Sequence, residues 1–143
     1  MKIIECPRDA MQGIDEFIPT EVKVKYLNQL LKVGFDTIDF GSFVSPKVIP
    51  QMKDTSTVYR GLNLENTQSK LLAIVANQRG AQEASLFEKI DYLGFPLSIS
   101  ETFQRRGSGV VKQVVGASPS PFIYVRQTIG CCMTRCADAQ LFR

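Results

Sequence analysis

A chain of 143 residues, 44% hydrophobic and 22% charged, is sized for one domain around a single core. It holds no apolar run of about 18 residues, which excludes a membrane-spanning helix of ordinary length. MKIIECPRD reaches Glu5 before the ~7–15-residue apolar region of a secretory signal can form, so the cytoplasm is the expected compartment. The net charge of +3 is unevenly shared: residues 1–104 carry −2 and residues 105–143 carry +5. The bases of the second part are scattered and not interleaved with aromatics. This argues against a nucleic-acid surface and for a solvated tail.

In chain order, Ile3–Cys6 reads as a short strand that Pro7 ends by removing a backbone donor. Thr20 is placed to cap a helix over EVKVKYLNQLLKVG, with Val24, Leu27, Leu30 and Leu31 at helical spacing and Gly34 as its stop. FDTIDF (35–40) follows as a strand, and strand, helix and strand make a βαβ unit. After the loop SFVSPKVI, residues 50–59 read as a short helix. KLLAIVAN (70–77) is a continuous apolar run of the kind buried on both faces of a parallel sheet. GAQEASLFEKI (80–90) reads as a helix and DYLGFPLSIS (91–100) as a strand made irregular by Gly94 and Pro96. The alternation predicts a parallel sheet. Beyond residue 106 the alternation stops, although VVKQVV and FIYVRQTI have strand propensity.

Chemistry in parallel α/β folds gathers where strands end. The first strand ends at Arg8-Asp9, followed by Gln12; the second at Asp39, then Gly41-Ser42. The third ends at Asn77 and Arg79, and the fourth at Ser98, Ser100 and Glu101. Taken alone, Arg8-Asp9 is a surface turn with a screened ion pair. Asp39 is less easily dismissed, because a carboxylate on a buried strand needs a cation, a metal or several donors. The cysteines, Cys6, Cys131, Cys132 and Cys136, form neither a spread disulfide framework nor paired C-x-x-C spacing.

PRDAMQG, with IDFGSFVSPKVIPQM about thirty residues later, resembles the hydroxymethylglutaryl-CoA lyase family, and SISETFQRR (98–106) extends the likeness. Ala10 and Met11 replace Gly and Leu of the family's P-R-D-G-L-Q pattern. The resemblance implies an α/β fold, a (β/α)8 barrel that is incomplete here, with about four βα units. It implies cleavage of 3-hydroxy-3-methylglutaryl-CoA, an acyl-CoA substrate, to acetyl-CoA and acetoacetate with Mg²⁺ or Mn²⁺. In that pattern Asp9 matches the metal ligand and Arg8 the arginine facing the developing enolate. Gln12 would hold nearby substrate oxygens, and Asp39, taken with Arg8 as a catalytic residue, stands where the family commonly has Glu.

The family's two further metal ligands come from a His-x-His motif, and this chain has no His. The motif-bearing part is read as residues 1–106, the N-terminal half of a barrel. Residues 107–143 are read as a non-homologous basic tail, either disordered or the product of a shifted reading frame, a misjoined exon or a gene-fragment artefact. Such a half, with open sheet edges, is expected to be inactive alone and marginally stable. Two rival readings are a condensing relative of the homocitrate or isopropylmalate synthase kind, against which SFVSPK argues, and a noncatalytic interaction module. Neither the motifs nor the composition fixes an oligomeric state. Sequencing the encoding DNA downstream of codon 106 tests the shifted frame. An alternative frame should restore a fourth helix and a His-x-His strand; no such frame contradicts it.

Overall fold

A computed structural model describes residues 1–97 and the strand at 124–127. Strand β1 (Ile4–Glu5) is shorter than the expected Ile3–Cys6. The Cys6 carbonyl accepts from the amides of Asp9 and Ala10 at 3.1 and 3.3 Å, which turns the chain into helix α1 (Pro7–Gln12). Pro7 therefore does more than end a strand. It opens a helix, where its fixed φ and missing N–H cost nothing.

Helix α2 (Thr20–Val33) stops at Gly34, which adopts the left-handed conformation (φ 82°) that favours glycine. Its N-cap is Pro19, not Thr20. The Thr20 hydroxyl instead donates to Asp54 at 2.8 Å, a tertiary partner that outcompetes local capping. Strand β2 (Thr37–Ser42) begins and ends two residues later than FDTIDF. The helix expected over 50–59 divides into a 3₁₀ turn (Pro50–Met52) and helix α3 (Thr55–Arg60). Lys23 Nζ takes the Gln51 carbonyl that a continuous helix would use.

Strand β3 (Lys70–Ile74) ends before Asn77, whose side chain accepts from the Gly80 amide at 2.9 Å and caps helix α4 (Gln78–Ala84). That cap sets α4 earlier than the expected 80–90. A Cβ at Gly80 would lie 2.5 Å from the Phe43 carbonyl oxygen, so the close approach of α4 to the β2 exit requires glycine. Strand β4 runs Ile90–Leu97, and β5 (Tyr124–Gln127) lies within FIYVRQTI. The segments VVKQVV, Ser98, Ser100, Glu101 and Cys131, Cys132 and Cys136 lie outside the described residues.

The sheet is wholly parallel, in the order β1-β2-β3-β4-β5. Sequential order without a reversal point is the barrel way of winding, as opposed to the doubly wound open sheet. Among the described residues the sheet is not closed, and β5 brings a fifth strand from the part of the chain where the alternation reads as interrupted. Leu27 and Leu31 of α2, Val58 of α3 and Ala84 of α4 pack on Ile38, Phe40, Leu71, Ala73 and Leu93. Tyr59 lies 6.1 Å from Phe40 and 4.7 Å from Phe87, ring centre to ring centre, linking α3 to both neighbours.

One irregularity decides which residues face the other side. Asp39 pairs with Leu72 but Gly41 pairs with Ala73, so Phe40 is an extra residue in β2. This bulge reverses the alternation. Asp39 faces Arg8 of α1, and Gly41 lies against α3, where a Cβ would come within 2.6 Å of Thr55 Cγ2. The Ser42 amide donates to Thr55 Oγ1 at 3.2 Å and its hydroxyl to the Ile74 carbonyl at 3.3 Å.

Candidate active site

The site begins with a buried carboxylate. Asp39 is 3% exposed in the middle of β2, where an unpaired charge would be costly. Its partner comes from α1 across the β1–β2 edge. Arg8 Nη2 donates to Asp39 Oδ2 at 2.6 Å, and Arg8 Nε donates to Oδ2 at 3.1 Å and Oδ1 at 3.3 Å. This is the bidentate geometry that a planar guanidinium makes and an ammonium cannot.

The other terminal nitrogen of Arg8 turns outward. Nη1 donates to Asp9 Oδ1 and to Gln12 Oε1, both at 2.9 Å. Arg8 and Gln12 are one helical turn apart in α1, so they share a face. The four residues expected from the motifs therefore meet at one guanidinium: Asp39 beneath it, Asp9 and Gln12 above it. Their environments differ. The Asp9 side chain is 67% exposed, that of Arg8 13% and that of Asp39 4%.

Burial disfavours the charge on Arg8, but the hydrogen-bonded Asp39 carboxylate, with the charges of Asp39, Asp9 and Cys6, outweighs it and raises the pKa. A group raised in the folded state contributes stability that is complete below its unfolded pKa. For arginine that covers the whole working range, and the contribution is lost only as pH rises past the guanidinium range. The positive charge at this rim is permanent.

Not every rim residue joins the group. Ser42, Asn77 and Arg79 line a separate cavity of about 90 Å³ with Ser45, Lys53 and Thr55. Neither Arg8, Asp9, Gln12 nor Asp39 touches that cavity. A resident metal centre does not fit what is present. Among the described residues no three His, Cys, Asp or Glu side chains gather as ligands, and the full sequence has no His. Asp9 alone offers an exposed carboxylate.

Sequence reading missed a second cluster beside the site. Lys23, 2% exposed, donates to Asp54 at 2.7 Å, and the Gln51 side chain, 4% exposed, binds the backbone of residues 14–18. The signal was there: Lys23 stands four and eight residues before Leu27 and Leu31, on the buried face of α2.

No protein-family model matches the chain. It is 35% identical over 146 residues to mouse mitochondrial hydroxymethylglutaryl-CoA lyase, an alignment covering 92% of this chain and 44% of that protein. The solved structure of the Bacillus subtilis HMG-CoA lyase superposes with a TM-score of 0.69 at 34% identity, over 80% of this chain and 38% of that one. The chain belongs to the hydroxymethylglutaryl-CoA lyase family.

An HMG-CoA lyase from Acinetobacter baumannii, solved in complex with coenzyme A and 3-methylmalate, superposes with a TM-score of 0.73 at 25% identity, over 97% of this chain and half of that one. The chain thus spans less than half the length of the mouse lyase and at most half of these lyase structures. Lyases named mitochondrial and lyases named cytoplasmic are both among the matches. No helix among the described residues is long and apolar enough to cross a membrane.

The geometry separates the two aspartates of this site. Asp39→Asn should destabilise the fold by about 3 kcal/mol, because it leaves a largely buried guanidinium with only the exposed Asp9 as a charge partner. Asp9→Asn should change stability by no more than about 0.5 kcal/mol, as for other exposed pairs. Urea denaturation followed by circular dichroism checks both.

Proposed function

We propose that this chain carries one corner of a carbon–carbon lyase site that acts on 3-hydroxy-3-methylglutaryl-CoA. The supporting observation is the guanidinium of Arg8, fixed from below by a bidentate buried carboxylate and aimed at the rim. Cleavage leaves an acetyl-CoA enolate, and a charge already in place where the oxyanion develops lowers that barrier without reorganisation. Arg8 has five N–H groups; Asp39 takes two, and Asp9 and Gln12 one each. One Nη2 hydrogen has no partner among the described residues. In this reading that hydrogen serves the thioester oxygen, and Gln12 holds a second substrate oxygen through its side-chain amide.

Asp39 holds Arg8 in place. A carboxylate clamped by a guanidinium is a weak base, so the proposal gives Asp39 an orienting role and not that of the proton acceptor. Aspartate in place of the family's glutamate suits this, because the shorter side chain brings its carboxylate to Arg8 from the bulged strand.

Asp9 is proposed as a carboxylate ligand of the Mg²⁺ or Mn²⁺ that the intact family enzyme uses, which would polarise the substrate's hydroxyl when bound. With one carboxylate and no His, the residues here do not make that centre, so the chain is proposed to be inactive alone. The acyl-CoA ester is the proposed partner.

A chimera tests this reading. Residues 1–97 of this chain should replace the corresponding part of the Bacillus subtilis HMG-CoA lyase. The chain as given should release no acetoacetate from 3-hydroxy-3-methylglutaryl-CoA, with or without Mg²⁺. The chimera should release it, and Arg8→Lys in the chimera should lower kcat by about 100- to 1,000-fold. A folded chimera without turnover, or one indifferent to Arg8→Lys, contradicts the proposal.

A further inference from the structure

The residues PQM (50–52), which belong to the motif carrying the family likeness, touch none of the site residues through a side-chain hydrogen bond, and their presence needs another reason. Gln51 supplies it. Its side chain is buried and its amide is fully used: Nε2 donates to the carbonyls of Ile14 and Glu16, both at 2.9 Å, and Oε1 accepts from the Ile18 amide at 2.9 Å. One side chain thus satisfies three backbone groups of the segment between α1 and α2.

The same segment is held from both flanks. Lys23 Nζ donates to the Gln51 carbonyl and to Asp54 Oδ1, and Asp54 Oδ2 accepts from Thr20. The Phe17 ring lies between the ammonium groups of Lys23 and Lys53, 4.2 Å from each.

This clamp matters because α1 is six residues long. A helix that short has no stability of its own. Its N-terminal end is fixed by Pro7 and by the Arg8–Asp39 pair. Its C-terminal end, carrying Gln12, continues through Gly13 directly into Ile14, the first residue that Gln51 grips. Release of that grip frees the last turn of α1 and with it the Gln12 acceptor that orients Arg8 Nη1.

We propose that Gln51 is a positioning residue, which sets the Arg8 guanidinium by clamping the backbone of residues 14–18. Its catalytic meaning rests on the reading of Arg8 above; the clamp itself does not. Lys23 and Asp54 complete the device by fixing the Gln51 backbone. A primary amide is required at position 51, because only Gln or Asn offers two donors and an acceptor there, and Asn is one methylene too short to reach.

Nuclear magnetic resonance of the full ¹⁵N-labelled chain tests it without any ligand. Gln51→Leu should speed hydrogen exchange at the Ile18 amide by at least about fivefold. It should also shift or broaden the Arg8 Nε–H resonance. Ile90→Val, a comparable loss in a strand remote from α1, should leave the Arg8 resonance unmoved.

An Arg8 resonance unchanged in a folded Gln51→Leu chain overturns the proposal. Should Gln51→Leu fail to fold, the unmodified chain decides. In native-state exchange, the Ile18 amide and Arg8 Nε–H should open with the same urea dependence, and different dependences overturn the proposal. Because no substrate is present, failure of the lyase reading would leave this result standing, and failure here would leave the chimera's turnover untouched.

Discussion

Everything at this rim depends on where a buried negative charge finds its counterion. Asp39 lies in the middle of a parallel strand, 3% exposed, and only a bidentate cation makes that position tolerable. Arg8 meets the need, and in doing so docks α1 against β2. The β1–β2 pairing is only two residues long, so this ion pair is a principal tie between the first βα unit and the rest of the sheet. It is also what leaves a permanent positive charge at the strand ends. The same contact that fixes the charge also holds a six-residue helix in place.

A bulge in β2 follows directly after Asp39. With Phe40 as an extra residue, Gly41 lies against Thr55 without a clash, and the Ser42 amide donates to the Thr55 hydroxyl. The rim is therefore divided. Arg8, Asp9, Gln12 and Asp39 form a charged group over β1 and β2, and a small cavity lies over β2 and β3. The clamp of Gln51 and Lys23 backs the first of these from behind.

Much of this was legible in the sequence, for identifiable reasons. PRDAMQG and SFVSPK point to their family because they are specific strings in a fixed order and at a fixed separation. KLLAI and the αL glycine at position 34 were legible because burial and backbone conformation leave few alternatives. What was lost was lost to tertiary competition. Thr20 looks like a helix cap, but Asp54, thirty-four residues away, takes its hydroxyl. Residues 50–59 have the composition of one helix, but Lys23 draws off the Gln51 carbonyl and breaks it in two. A short helix at Pro7–Gln12 was not legible from propensity, since its stability comes from the Arg8–Asp39 pair and not from its own residues. No local pattern reveals a partner thirty-one residues distant.

The central claim is that Arg8 and Asp39 stabilise each other through a buried charge pair and are not merely neighbours. A double-mutant cycle with Arg8→Met, Asp39→Leu and the combined variant, measured by urea denaturation, isolates that coupling. The account predicts that each single variant is strongly destabilised while the double variant recovers much of the loss, with a coupling of about 2–3 kcal/mol. Additive losses, with a coupling near zero, would contradict it.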